Sequence, residues 1–186
     1  MNLPKVLLYL LFLLSVVTSV AQEPSTENKN KKIKILLISD LNDSYGSVSY
    51  SKEVHAIVER AKTIKPDIIL CGGDMVAGQK ASLTKTRLDS MWYAFDQSVL
   101  SPIYQMGIPF GFTMGNHDAS PSYVLDRESA SSFWALNKHK ANLTFVDDTH
   151  FPYYFSYMKN NIFFISWDAS SAMIPEEVKS WMQQQL

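Results

Sequence analysis

At 186 residues, with 46% hydrophobic and 19% charged side chains, the chain has the composition of an ordinary globular protein large enough for one domain with a sizeable core. Its formal net charge of -1 excludes the electrostatic footprint of a general nucleic-acid or anionic-membrane binder, leaving only a local basic patch as a route to such partners. The single cysteine, Cys71, excludes an internal disulfide, so the fold must stand on its core.

In chain order, Lys5 precedes a weakly polar run from Val6 to Val20 that closes on Ser19-Val20-Ala21, a small-x-small pattern before Gln22. This has the form of a secretory signal peptide over 1–21 and predicts a secreted or periplasmic protein. The run is shorter than the ~20 residues of a spanning helix, and an uncleaved membrane anchor is the alternative. No cysteine follows the cleavage pattern, which argues against a lipid anchor. Residues 22–32 are polar, contain Pro, Ser and Asn, and end in a basic cluster, as a flexible leader does.

Ile33 to Ser39 is a continuous apolar run, which predicts a parallel strand buried on both faces, with a functional loop from Asp40 to Tyr50. The period then becomes helical. Val54, Ile57, Val58 and Ala61 share one face, and His55 lies off that stripe and reads as solvated. Pro66 breaks this helix and Asp67 to Cys71 forms the second strand, so strand, helix and strand imply a right-handed crossover in one parallel sheet. Cys71 follows Ile68, Ile69 and Leu70 and reads as a small core residue, because apolar surroundings raise a thiol's pKa and hide it.

After Gly72-Gly73-Asp74 comes a loop from Met75 to Leu83, and then a helix whose Leu88, Met91, Trp92, Phe95 and Val99 share a face, ended or kinked by Pro102. Phe110 to Met114 reads as a strand that breaks at Gly115 and delivers Asn116, His117 and Asp118 together. Ser122 is the expected cap of a third helix running to about Asn137. Asn142 to Asp148, Tyr153 to Tyr157 and Ile162 to Trp167 read as closely spaced antiparallel strands of a second sheet. Pro175 opens a last helix in which Val178, Trp181, Met182 and Leu186 make an apolar face with no later segment to cover it, which predicts instability of the chain on its own.

Three of these strands end on acidic or amide groups: Asp40 and Asn42, then Asp74, then Asn116. In parallel α/β sheets the ligand crevice lies outside the carboxyl ends of the strands, so these groups are expected to converge. An asparagine oxygen suits a hard or borderline cation, an imidazole moves protons near neutral pH, and a neighbouring carboxylate can orient it. For Asp40 the plainer alternative is a helix cap.

The motifs D-x-(H/N), G-G-D and G-N-H-D, in this order and at this spacing, resemble the calcineurin-like metallophosphoesterases, which include purple acid phosphatases and cyclic-nucleotide phosphodiesterases. The resemblance runs from about Lys34 to the chain end and implies an α/β fold, a β-sandwich of mixed sheets flanked by helices. It covers only part of a family domain, so the domain over 33–186 is expected to be incomplete at its C-terminus and inactive alone. It further implies two divalent metal ions (Mn, Fe, Zn or Mg) and a metal-bound hydroxide attacking a phosphate mono- or diester. Asp40 would bind the first metal, Asp74 both and Asn116 the second. His117 would face the phosphate or leaving oxygen, as general acid or as static contact, with Asp118 orienting its ring.

The sequence departs from the family pattern. Asn42 stands where a histidine is usual; it either ligates through oxygen, favouring Mn or Mg over Zn, or weakens the first site. Ala77 stands where purple acid phosphatases have a tyrosine, so an iron–tyrosinate centre is not expected. Some secreted relatives share the wording of Asp40 to Ser47 and Gly73 to Gln79. The family's later histidines are missing, because His139 and His150 precede the expected position and read as surface residues. The competing expectation is a non-catalytic or degenerate member that binds a ligand or partner.

Overall fold

Strands β1 (Ile35–Ile38), β2 (Ile68–Cys71) and β3 (Phe110–Phe112) form a parallel sheet in the order β1-β2-β3. The register sets Ile38 opposite Cys71 and Cys71 opposite Phe112, so the three strands end level and their loops leave at one edge. The computed structural model describes residues 32–186, of which Ile33–Leu186 form one compact unit. The expected signal segment 1–21 and residues 22–31 of the leader lie outside the described residues.

The crossover from β1 to β2 runs through α1 (Lys52–Ile64), which Ser51 opens by accepting the Val54 amide at 3.4 Å and which buries Val58 and Ala61. The second crossover is α2 (Lys85–Phe95), a π-helical turn over Asp96–Leu100, and α3 (Ser101–Gln105). Pro102 therefore does not end the helix. The π turn has already moved Ser101's amide to the Asp96 carbonyl, and proline sits in the first turn of α3, where its missing N–H is tolerated. The Asp96 carboxylate is buried and pairs with Lys140 at 2.7 Å, which ties this turn to the segment after α5.

Beyond β3 come α4 (Asn116–Ala119) and α5 (Val124–Asn137), and then β4 (Thr144–His150), β5 (Tyr154–Lys159) and β6 (Ile162–Ser166), an antiparallel sheet in the order β4-β5-β6. Ser122 does not cap α5, whose entry residue is Tyr123 without a side-chain cap bond. The second sheet rests on β3. Phe155 lies 5.2 Å from Phe112, Ser166 Oγ donates to the Phe112 carbonyl at 2.5 Å, and the Tyr157 hydroxyl fills the space a Gly111 side chain would need. Trp134 stacks on the same Phe112 ring at 4.1 Å and Trp92 on Phe133 at 4.8 Å, which packs α5 on the sheet and α2 on α5. The result is the α/β class with helix-flanked sheets, parallel strands in one sheet and antiparallel in the other.

Two expectations are corrected. β1 is not buried on both faces: Ile35 is 41% and Leu37 74% exposed, because β1 is an edge strand and the second sheet lies over β3. Nor is the last helix, α6 (Glu176–Gln185), uncovered. Val178 and Trp181 are buried, and Trp181 packs on Tyr154 at 5.1 Å while its indole donates to Asp147 Oδ2 at 2.9 Å. Of the expected apolar face, Leu186 alone stays largely exposed, at 92%, and Met182 is half-buried.

Asp147 gives this docking a pH dependence. Its carboxylate accepts from the Thr149 amide at 2.9 Å, the Trp181 indole and Gln185 Nε2 at 3.1 Å, and the Thr149 and Trp181 donors, the Thr149 amide foremost, hold its pKa down to about 2. A carboxylate depressed in the folded state contributes stability that is present above its unfolded pKa of ~3.9 and is lost as the pH falls through the folded value. The melting temperature of the parent is therefore expected to fall between about pH 4 and pH 2 more steeply than that of Asp147→Asn. Parallel melting curves for the two proteins across that window would refute the anchoring role.

Candidate active site

The loops after β1 and β2 remain zipped past the strands. Gly72 donates to the Ile38 carbonyl at 2.9 Å, Asp40 to Gly73 at 3.2 Å, and Asn42 to Asp74 at 3.1 Å. Asp40 and Asp74 both occupy the left-handed backbone region, at φ 54° and 53°, where aspartate is tolerated better than most residues. Such conformations concentrate at functional sites because the surrounding structure must hold them. Leu41 is buried between the two polar positions and pins the first loop to the core.

The third loop approaches as closely as backbone allows. A Cβ at Gly73, whose φ is 103°, would meet Gly115 N at 2.7 Å, and one at Gly115 would overlap the Asp74 carboxylate. Only glycine permits this approach. It places the amide of His117, in the first turn of α4, 3.0 Å from Asp74 Oδ1, leaving Oδ2 without a protein donor.

Each amide side chain is turned by its nitrogen. Asn42 Nδ2 donates to the Val76 carbonyl at 3.2 Å and Asn116 Nδ2 to Gln79 Oε1 at 3.0 Å, so both Oδ1 atoms face no protein donor. Among the described residues no three His, Cys, Asp or Glu side chains form a group able to hold an ion. The oxygen donors at this edge are instead the carboxylates of Asp40 and Asp74 and the amides of Asn42 and Asn116. That set of oxygen donors, with a glycine-lined cradle around Asp74, has the chemistry that suits a hard divalent cation.

Asp118 does not do what the sequence suggested. It is 1% exposed and accepts the Val76 amide through Oδ1 and the Gly115 amide through Oδ2, both at 2.9 Å, so it rivets the second loop to the third. It does not pair with the His117 ring, because successive helical residues point away from one another. Burial pushes its pKa up to about 7, opposed by the Gly115 and Val76 amides.

Among the described residues His117 Nδ1 is buried with no hydrogen-bond partner, whereas Nε2 is not among the buried unpartnered atoms. The ring of Tyr45, 54% exposed on the first loop, lies 5.2 Å from the imidazole. The Cys71 thiol is buried under this edge. Burial raises its pKa, and the nearby charges of Asp118, Asp40 and Asp74 add to the shift, so it is a core residue. His55, His139 and His150 are all exposed away from the site, His150 stacked on Tyr154 at 4.3 Å.

Sequence reading missed Tyr45, Gln79 and Asp126. Gln79 follows Gly78 in the second loop and reaches Asn116, and buried Asp126 of α5 accepts the Gln79 amide at 2.8 Å. Tyr45 could have been found by its place in the polar loop after β1. Asp126 gives no sequence signal beyond that of an acidic residue in a helix's first turn.

No curated protein is similar enough to the chain to count as a match. A family model described as calcineurin-like phosphoesterase matches residues 33–183, the stretch that carries all three strand-end motifs. Members of that family are metal-dependent enzymes acting on phosphate esters, in keeping with the oxygen donors gathered here. With the match spanning nearly the whole of the described fold, the chain belongs to the calcineurin-like phosphoesterase family.

Proposed function

We propose that the protein is an exported phosphoesterase that hydrolyses phosphate mono- or diesters at a dinuclear metal centre. The observation that carries this reading is that Asp40, Asn42, Asp74 and Asn116 follow strand ends at one sheet edge and that, among the described residues, the Asn42 and Asn116 amide oxygens and Asp74 Oδ2 accept no bond, beside the His117 imidazole. Asp40 and Asn42 would hold one cation, Asn116 the other, and Asp74 both. When bound, two divalent cations activate a water molecule and neutralise charge on the phosphoryl oxygens. His117 Nε2 would donate a proton to the departing oxygen, while its main-chain amide fixes the Asp74 carboxylate. The Lys5 to Ala21 segment supports export, and no helix among the described residues is long and apolar enough to cross a membrane.

The test is hydrolysis of a chromogenic phosphate monoester and diester by the full-length protein, after chelation and after return of Mn, Mg or Zn. Activity is expected to vanish on chelation and to return best with Mn or Mg. Asn42→His is expected to shift that preference toward Zn, because imidazole suits Zn and amide oxygen suits harder cations. The amide at Asn42, and the absence among the described residues of a three-residue acidic or histidine group, favour a second reading, a ligand-binding member without turnover. That reading wins if the parent is inactive with every cation and Asn42→His is active.

A further inference from the structure

Gln79 is a non-glycine residue held at φ 62°, and it makes bonds in two directions. Its amide donates to Asp126 Oδ2 at 2.8 Å, and its side-chain oxygen accepts from Asn116 Nδ2 at 3.0 Å. The preceding Gly78 leaves no slack. Its amide donates to the His117 carbonyl at 3.0 Å, and a Cβ there would lie 2.5 Å from that carbonyl oxygen and 3.2 Å from Asp126 Cγ. Asp126 is 2% exposed, so this carboxylate is placed by the packing of α5 rather than by solvent.

We infer that Gln79 and Asp126 are positioning residues that fix which end of the Asn116 amide is presented to a divalent cation, an inference that rests on the reading of Asn116 as an oxygen ligand. An asparagine amide is nearly symmetric in shape, and half a turn about its last torsion replaces an acceptor oxygen with an NH2 group that repels a cation. In the structure the Gln79 oxygen accepts from the nitrogen end of Asn116, so turning the Asn116 amide alone would set oxygen against oxygen. Gln79 can do this because Asp126 holds its backbone in the left-handed region, which glutamine does not favour unaided. The order of action is α5 to Asp126, Asp126 to Gln79, and Gln79 to Asn116. Partners behind a ligand that set its orientation commonly change metal affinity or activity by ~10–100-fold when removed.

The test is Mn2+ titration, followed by electron paramagnetic resonance, of the full-length parent, Gln79→Met, Gln79→Glu, Asn116→Ala and the Gln79→Met/Asn116→Ala double variant. Methionine fills the volume of glutamine without an acceptor, and glutamate keeps one. Gln79→Met is expected to weaken binding by ~10–100-fold, Gln79→Glu to restore most of it, and Gln79→Met to add nothing once Asn116 is alanine. If Gln79→Met fails to fold, Asp126→Ala against Asp126→Asn gives the same comparison, since asparagine can still accept the Gln79 amide.

Unchanged affinity in Gln79→Met beside a loss in Asn116→Ala overturns the inference and leaves the proposed site standing. An equal loss from Gln79→Met in both backgrounds also overturns it, because the effect would then not pass through Asn116. A parent that binds no Mn2+, or an Asn116→Ala variant that binds it as well as the parent does, removes the reading of the site and this inference with it.

Discussion

An Asp74→Asn variant is expected to lose phosphate-ester hydrolysis by at least ~10²–10³-fold, the scale on which removing one preorganised electrostatic group acts at a reacting centre. Its content of divalent metal is expected to fall in parallel. The substitution is close to isosteric and spares the local structure, because an amide oxygen can still accept the His117 amide that meets Asp74 Oδ1 at 3.0 Å. What it removes is the one negative charge proposed to be shared by two cations, at a position where the Gly115 backbone is too close for any neighbouring side chain to take its place. Elemental analysis of the purified variant, with turnover of a monoester and a diester, measures both effects. A variant with parent-like metal content and activity would remove Asp74 from the centre of the site.

His117→Asn is expected to separate the two effects. Turnover falls by ~10²–10⁴-fold, the usual contribution of a general acid or base, while metal content stays at the parent level. The geometry gives the reason. What His117 offers Asp74 is its main-chain amide, which any residue supplies, whereas the ring takes no part in that bond and buries Nδ1. Asp118 is a poor substitute target for this experiment, since its carboxylate joins the Val76 and Gly115 amides and its loss would loosen both loops at once. If His117→Asn loses as much metal as Asp74→Asn does, the imidazole is a ligand and the assignment of a proton-transfer role fails.

The exposed Ile35 and Leu37 of β1 set a practical condition on these measurements. Exposed apolar residues along an unpaired edge invite association between copies, so activity is best compared at matched low protein concentration.

The sequence by itself determined that the first strands pair in parallel and that Asp40, Asn42, Asp74 and Asn116 follow their ends. It could do so because apolar periodicity fixes strands and helices locally, and because crossover handedness then leaves few arrangements open. It also marked Gly115 as the break that ends the third strand, since a missing side chain is a local property. Tertiary structure alone decided which donor each acceptor meets. Asp118 turned from the adjacent His117 to Val76, 42 residues away in the chain, and Asp126 reached Gln79 across 47. It also decided that Trp181 of α6 packs on the second sheet while Leu186 and, on β1, Ile35 and Leu37 stay exposed. Burial and hydrogen-bond choice depend on which groups the folded chain brings within about 3 Å, and a residue's sequence neighbours carry little information about that.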